Sequence, residues 1–248
     1  MILLIDVGNT TINMAVSDGE KLFKTAMINT NLNKTSDEYY MDLRVIFELD
    51  QIKNVIISSV VPVVTKELVE LSKKHLNIEP ITIEPPIKTG VRVNTDNPKE
   101  VGADLIAVAA AVINNDNKSY LIVDLGTASK MIYVKNNAIT GVIIFPGIEV
   151  SIKALVGNTA LLPNIDIKVP KKVLGKNTIE CMQSGVTYGV AAQIDGLVEM
   201  IKKEVNEEFS VITTGGLSGV INPLLKTKIT DQPNLIFDGL LKIYNLNR

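Results

Sequence analysis

Two short segments of the sequence carry residue types that suit the binding of phosphate groups. Asp6-Val7-Gly8-Asn9-Thr10-Thr11 follows the apolar residues 3–5, and Asp124-Leu125-Gly126-Thr127 follows the apolar residues 121–123. Glycine lets the backbone approach a ligand closely, and successive backbone N–H groups with hydroxyl and amide side chains can surround phosphate oxygens. An aspartate there can bind a phosphate-associated Mg²⁺. Either segment alone also suits an ordinary hairpin turn, because Asp, Gly and Asn are frequent turn residues.

The two segments belong to an internal repeat. In each copy a second, strand-like run follows, at residues 12–16 and 131–134. A further similarity joins residues 54–61 to residues 210–217, where a buried-type strand leads to hydroxyl residues. The repeat predicts two similar α/β domains, residues 1–115 and 116–248, each opening with a β-meander and with a cleft between them.

The residue inventory restricts the chemistry. The chain has one histidine and one cysteine. A Ser-His-Asp triad could use only His75, and a two-histidine zinc motif is excluded. Cys181 is predicted to be a buried structural thiol, because it lies in an apolar helical stretch. Carboxylates, hydroxyls, lysines and glycine-rich backbone remain, and these are the groups that handle phosphates and metal ions.

Charge and hydropathy exclude several classes of protein. The 248 residues carry 25 basic and 27 acidic side chains without a basic cluster, which gives no support to nucleic-acid binding. The longest apolar run, residues 105–113, is far shorter than the roughly 20 residues that span a bilayer. The N-terminus lacks the basic region of a signal peptide. We therefore expect a cytoplasmic protein with no nucleic-acid or membrane partner.

A third candidate segment lies between the two repeats. Asn97-Pro98-Lys99-Glu100 has the residue order of a helix start and is followed by Gly102-Ala103-Asp104. Asp104 could be a cap that complements the helix dipole, or a general base near the cleft. The pattern alone favours the cap.

Taken in order, the motifs closely resemble those of type III pantothenate kinases over essentially the whole chain. The motifs are Asp6-x-Gly8-Asn9-Thr10; Ser58-Ser59-Val60-Val61-Pro62; Asp96-Asn97-Pro98-x-Glu100-Val101-Gly102-Ala103-Asp104; Asp124-x-Gly126-Thr127-Ala128; Pro146-Gly147; Gly175-x-Asn177-Thr178; and Thr214-Gly215-Gly216. This family belongs to the superfamily of acetate and sugar kinases, Hsp70 and actin. The resemblance implies an α/β protein of two ribonuclease-H-like domains with a central cleft, the actin-like ATPase fold.

The resemblance also implies an activity, its cofactors and its site residues. The activity is ATP-dependent phosphorylation of pantothenate to 4'-phosphopantothenate, the first step of coenzyme A biosynthesis, by a homodimer. Asp104 is the implied general base, Asp6 binds Mg²⁺ with ATP, and Asp124 binds a monovalent cation, K⁺ or NH₄⁺. The implied ATP-binding residues are Asp6, Val7, Gly8, Asn9, Thr10, Thr11, Ile12, Asn13 and Thr127. The implied pantothenate-binding residues are Gly102, Ala103, Asp104, Leu105 and Thr178.

Three departures from the family pattern concern the acceptor side of the site. Leu105 stands where the family usually has an arginine expected to meet the substrate carboxylate, and Thr95 stands where a tyrosine is expected. Ser129 and Lys130 replace the usual pair of threonines, so Lys130 could place a cation in the pocket. A kinase of another small hydroxyl compound and a non-catalytic regulatory homologue stay as alternatives.

Overall fold

The computed structural model describes residues 1–114 and 118–248, which form two compact units. The first unit is Met1–Asn115 with Leu235–Arg248, and the second is Asp116–Asn234. The boundary predicted between residues 115 and 116 lies outside the described residues. The C-terminal segment differs from the sequence-based division, because Leu235–Arg248 joins the first unit and not the second.

Each unit begins with three consecutive strands, and helices and further strands follow. The strands are β1 (Ile2–Val7), β2 (Thr11–Ser17), β3 (Leu22–Asn29), β4 (Asn54–Ser59), β5 (Ile81–Thr82), β6 (Arg92–Val93), β7 (Tyr120–Leu125), β8 (Ala128–Lys135), β9 (Ala138–Pro146), β10 (Ser210–Thr214) and β11 (Ile229–Asp231). The helices are α1 (Ser36–Ile46), α2 (Pro62–Leu76), α3 (Ala103–Val112), α4 (Ile148–Gly157), α5 (Thr178–Val205), α6 (Ser218–Ile221) and α7 (Leu235–Asn247). The predicted α/β class is confirmed.

The two units repeat one sheet topology. The first sheet has the strand order β3-β2-β1-β4-β5, and the strands of the second unit follow the matching order β9-β8-β7-β10-β11. In each, the first three strands of the unit pair antiparallel, and the fourth lies parallel to the first. The predicted β-meander at the start of each half is therefore confirmed.

Both faces of the first sheet are covered by helices. Leu3 and Ile5 of β1 pack into a core with Leu68 of α2, and this core also takes in α1. Leu4 points to the opposite face, because successive side chains of a strand alternate, and it packs in a core with Leu240 of α7. Helix α1 begins with a capping box between Thr35 and Glu38, so its first backbone donors are satisfied.

The second sheet packs against the long helix α5. Val186, Val190, Ile194 and Val198 recur at four-residue intervals and form one buried stripe with Val123 of β7. Asn177 caps α5 by accepting a hydrogen bond from the backbone N–H of Glu180 at 2.9 Å.

A polar cluster fixes the chain between α5 and β10. The carboxylate of Glu207 accepts hydrogen bonds from Lys135 Nζ at 2.5 Å, from Ser119 Oγ at 2.9 Å and from the hydroxyl of Tyr133. The bonds from Lys135 and Tyr133 lower the pKa of Glu207 to about 2. Residues 207 and 135 are therefore joined at neutral pH by a charged contact.

Two local expectations are wrong. Residues 97–100 do not begin a helix: Pro98–Glu100 is a single 3₁₀ turn, and α3 begins separately at Ala103 after Gly102. Cys181 is exposed and not buried, because the buried stripe of α5 starts one residue later, at Met182.

Among residues 1–114 and 118–248, no helix combines the length and the apolar character needed to cross a membrane.

Helix α7 approaches α3 so closely that a side chain at the contact is excluded. A Cβ atom added to Gly239 would lie 1.8 Å from the backbone oxygen of Ala107. The obstructing atom belongs to backbone, so it cannot move without shifting a whole helix. Together with Phe237, Leu240 and Ile243, which are buried in the core beneath the first sheet, this contact joins the C-terminal helix to the first unit.

We predict that Gly239→Ala destabilises the protein by about 1–3 kcal/mol, because the helices must separate to admit the methyl group. The measurement is the free energy of unfolding by urea, followed by circular dichroism. Gly196→Ala is the matched control: that glycine is exposed within α5, and an added Cβ would meet nothing within 4 Å. The control should gain about 0.5–1 kcal/mol from helix propensity. Equal effects of the two substitutions would show that the α3–α7 contact is not tight.

Candidate functional site

In the first unit, Asp6 lies near the carboxyl end of β1, next to the carboxyl end of the parallel strand β4. Asp6 lies in register with Ser58 of β4 on one side and with Asn13 of β2 on the other. Ser58 Oγ donates a hydrogen bond to Asp6 Oδ1 at 3.0 Å. The carboxylate is therefore oriented by a buried hydroxyl and remains partly accessible.

The loop that follows Asp6 is a tight turn with its own hydrogen bonds. The N–H of Gly8 donates to the backbone oxygen of Thr11 at 2.9 Å. Thr30 secures both ends of the turn: its N–H donates to Thr10 O at 2.9 Å, and its hydroxyl donates to Gly8 O at 2.7 Å. Asn9 at the tip is exposed. No motif in the sequence pointed to Thr30, which directly follows β3.

The predicted ATP-binding residues that follow Asp6 differ in their exposure. Gly8, Asn9, Thr10 and Thr11 are at least partly exposed and can present polar atoms to a ligand. Val7 and Ile12 are buried in the core, so only their backbone atoms could contribute to a site. Asn13 is partly buried on β2 opposite Asp6.

Asp104 lies near the same carboxyl ends of β1 and β4. It is the second residue of α3, and a Cβ atom added to Gly102 would lie 2.5 Å from Asp104 Oδ1 and 3.3 Å from Val60 Cγ1. The N–H of Val60 in turn donates to Val7 O at 3.1 Å. The start of α3, the end of β4 and the end of β1 are therefore neighbours, and Gly102 leaves the space into which the Asp104 carboxylate folds back.

Two of the three departures on the acceptor side are Leu105, which is buried, and Thr95, which is partly buried. Leu105 is 7% exposed. The hydroxyl of Thr95 is buried and finds no hydrogen-bond partner in the described part of the chain. Neither side chain supplies a positive charge.

In the second unit the equivalent loop is held from two sides. The N–H of Gly147 donates to Thr127 O at 3.1 Å, and the N–H of Leu217 donates to Leu125 O at 3.4 Å. Thr127 itself is exposed. Both motifs thus support the second Asp-x-Gly loop: Gly147 belongs to the Pro146-Gly147 motif, and Leu217 directly follows Gly215-Gly216.

Asp124 is paired with a lysine. Asp124 lies in register with Thr214 of β10 and directly opposite Lys130 of β8. Lys130 Nζ is 3.4 Å from Asp124 Oδ2, and each side chain is 20% exposed. Thr178, at the first position of α5, is exposed.

The donor set suits a metal ion that arrives with phosphate. Within residues 1–114 and 118–248, no group of three or more His, Cys, Asp or Glu side chains could hold a metal ion. Mg²⁺ commonly binds one or two carboxylates and completes its shell with phosphate oxygens and water. A single partly exposed carboxylate, Asp6, beside a loop of backbone N–H groups fits that mode of binding.

Comparisons with known proteins identify the family. The family model described as type III pantothenate kinase matches residues 2–200. A type III pantothenate kinase from Acholeplasma laidlawii is 52% identical over 247 residues, covering 100% of this chain and 99% of that protein. One from an Exiguobacterium species is 42% identical over 254 residues, covering 100% of both chains.

Solved structures show the same fold. A Campylobacter jejuni protein described as a Baf family transcriptional activator has a TM-score of 0.63 at 22% identity and covers 99% of this chain and 98% of its own. A Sinorhizobium meliloti protein described as a 2-dehydro-3-deoxygalactonokinase has a TM-score of 0.63 at 11% identity, covering 99% and 96%. These two likenesses show the fold alone, which is that of the actin-like ATPases and sugar kinases. On the sequence matches, the chain belongs to the type III pantothenate kinase family.

Proposed function

We propose that this chain transfers the γ-phosphoryl group of ATP to the hydroxyl group of pantothenate, which forms 4'-phosphopantothenate for coenzyme A biosynthesis. Family membership supports the activity. The chemical assignment rests on one observation in the first unit: Asp6 and its loop lie near Asp104. Val60 links the two segments, because it bonds to Val7 and lies beside Gly102. Phosphoryl transfer depends mainly on positioning and charge neutralisation, and this arrangement can supply both.

The Asp6 loop is the proposed phosphate cradle. Its backbone N–H groups and the side chains of Asn9, Thr10 and Thr11 would surround the phosphates, while Asp6 would hold Mg²⁺. The metal ion supplies positive charge that offsets the charge developing on the phosphoryl oxygens. The bonds from Thr30 and Ser58 keep this cradle in place before the ligand arrives, which lowers the entropic cost of binding.

Asp104 is the proposed general base. Its carboxylate would accept the proton of the acceptor hydroxyl as the new O–P bond forms and the bond between the γ-phosphorus and ADP breaks. Gly102, Ala103 and Leu105 surround this carboxylate in sequence and would line the acceptor side of the site, and Thr178 stays a predicted acceptor contact. Because Leu105 and Ala103 carry no charge, the pantothenate carboxylate would have to rely on backbone N–H groups, hydroxyls or a lysine.

The second loop is assigned to the nucleotide as well. Thr127 would donate to ATP from an exposed position. A monovalent cation at Asp124 stays a prediction, and the ammonium group of Lys130 already stands beside that carboxylate.

A second candidate function is phosphorylation of another small hydroxyl compound. Two observations favour it: a leucine that is 7% exposed replaces the expected arginine, and the Thr95 hydroxyl is buried without a partner in the described residues. Both functions use the same ATP cradle and the same base, so only the identity of the phosphorylated alcohol separates them. A purely regulatory role has less support, because such a protein need not keep Asp6, Asp104 and Asp124.

The predicted cytoplasmic location and the predicted lack of nucleic-acid and membrane partners stay predictions. A homodimer is supported by exposed apolar side chains in the second unit. Leu161 is 89% exposed and Leu174 is 84% exposed, with Val173 and Ile179 also exposed nearby in sequence. We assign these exposed apolar side chains to the surface that the second subunit would cover.

We predict that light scattering after size-exclusion chromatography gives a mass of two 27.0 kDa chains. Leu174→Glu should shift the protein toward the monomer, because a charge would be buried in the interface. Leu32→Glu is the matched control, since Leu32 is also exposed but lies in the first unit. A monomeric wild-type protein at micromolar concentration would refute the dimer.

We predict that Asp104→Asn lowers the turnover of pantothenate by roughly 10²–10⁴-fold, because an amide cannot accept the proton. The substitution keeps the size of the side chain, so the affinity for ATP and the melting temperature should stay near their wild-type values. Steady-state kinetics with saturating ATP, calorimetry and thermal unfolding provide the three readouts. Near-normal turnover of Asp104→Asn would remove Asp104 from the role of base.

We predict that Gly102→Ala lowers kcat by roughly tenfold or more, because the new Cβ displaces the Asp104 carboxylate from its place. The decisive control is the double variant with Asp104→Asn. If Gly102 acts by positioning Asp104, the double variant should be no slower than Asp104→Asn alone. Independent, multiplying losses would show that Gly102 acts in another way.

A further inference from the structure

Lys130 occupies the place in which a free cation is expected. It stands directly opposite Asp124 in the antiparallel pairing of β7 with β8. Its Nζ lies 3.4 Å from Asp124 Oδ2, and both side chains are largely withdrawn from solvent at 20% exposure. The sequence resemblance implied that Asp124 binds K⁺ or NH₄⁺ there.

The position of Lys130 is set by the sheet. Ser129 and Met131, its two neighbours on β8, are each 1% exposed and anchor the strand in the core. Side chains that face each other across an antiparallel pair lie on the same side of the sheet. Lys130 and Asp124 are therefore held together by strand register and not by a chance meeting of two flexible surface chains.

A lysine ammonium group has the chemistry that the expected ion has. It carries one positive charge and three N–H donors, one fewer than a free NH₄⁺, and it can offer them to the same carboxylate oxygens. Because it is tethered, its local concentration does not depend on the surrounding solution. A second cation placed beside it would meet like-charge repulsion in a partly desolvated site. The residues present therefore do not fit an additional K⁺ at Asp124.

We propose that Lys130 replaces the free monovalent cation in this chain, so that the enzyme is independent of K⁺ and NH₄⁺. The inference rests on the proposed kinase function for its catalytic consequence. Its structural content, that the site at Asp124 already holds its cation, can be tested without any catalysis.

The experiment compares wild-type protein, Lys130→Ala and Lys130→Arg in buffers that contain either KCl or tetramethylammonium chloride at equal ionic strength. Thermal unfolding, Mg-ATP affinity by calorimetry and kcat with pantothenate are measured in each buffer. Lys135→Ala is the matched control, because Lys135 lies on the same strand and also forms an ion pair, with Glu207 at 2.5 Å.

Wild-type protein and Lys135→Ala should show values of ATP affinity and kcat that change less than about twofold between the buffers. Lys130→Ala should lose roughly ten- to hundredfold in ATP affinity or kcat in tetramethylammonium, the size of one charge-assisted contact. Added K⁺ or NH₄⁺ should restore the ATP affinity or kcat of Lys130→Ala in a saturable manner. The ion should also raise the melting temperature of this variant, because the substitution leaves the Asp124 carboxylate without its cation. Lys130→Arg keeps the charge and should stay independent of K⁺, which covers the case in which the alanine variant does not fold.

A wild-type protein whose ATP affinity or melting temperature depends on K⁺ would overturn the proposal. So would a Lys130→Ala variant that folds and is indifferent to K⁺, since the ion pair would then be only a link between strands. If no variant phosphorylates pantothenate but the melting temperature of Lys130→Ala alone responds to K⁺, the proposed function fails and the cation replacement stands.

Discussion

The site depends on one constraint: in each unit the first strand pairs in parallel with the fourth strand of the repeated topology. The β1–β4 register puts Asp6 beside Ser58, and the β7–β10 register puts Asp124 beside Thr214. A slip of one residue would turn each aspartate toward the opposite face of its sheet. β1 is buried on both faces, so such a slip would exchange the side chains that pack into its two cores and disrupt both.

The chemistry follows from where these strands end. Because the carboxyl ends of parallel strands share one edge, the loops after β1 and β4 meet there, and the start of α3 joins them through Gly102 and Val60. Hydrogen bonds from Ser58 and Thr30 orient the carboxylate and the turn in advance. In the second unit the same architecture carries a different balance of charge, since Lys130 stands against Asp124. The same scaffold thus carries two different loops. The loop after β1 suits phosphate and a metal ion, and the loop after β7 has the ammonium group of Lys130 beside its aspartate.

Much of the fold and of the candidate site could be predicted from the sequence, because short local patterns determine the strands, turns and loops. Apolar runs followed by Asp-x-Gly predicted both meanders and both loops, and the ordered motifs identified the family. The placement of α7 could not be predicted, since an amphipathic helix shows which face is buried but not which partner covers it. The start of α3 was also misplaced, because a good N-terminal pattern at residues 97–100 forms only one 3₁₀ turn. The Asp124–Lys130 contact could have been predicted, because both residues lie three positions from Thr127 at the turn. That prediction requires the register of the hairpin, which the sequence alone does not determine.

The central claim is that this cradle and base act on pantothenate, and the most direct test is the identity of the product. Phosphorus NMR of a reaction with ATP, Mg²⁺ and pantothenate, run beside a panel of other small alcohols, reports which hydroxyl receives the phosphoryl group. We expect a phosphomonoester resonance from pantothenate that grows in step with ADP. ADP formation without that ester, or an ester formed only on another alcohol, would contradict it.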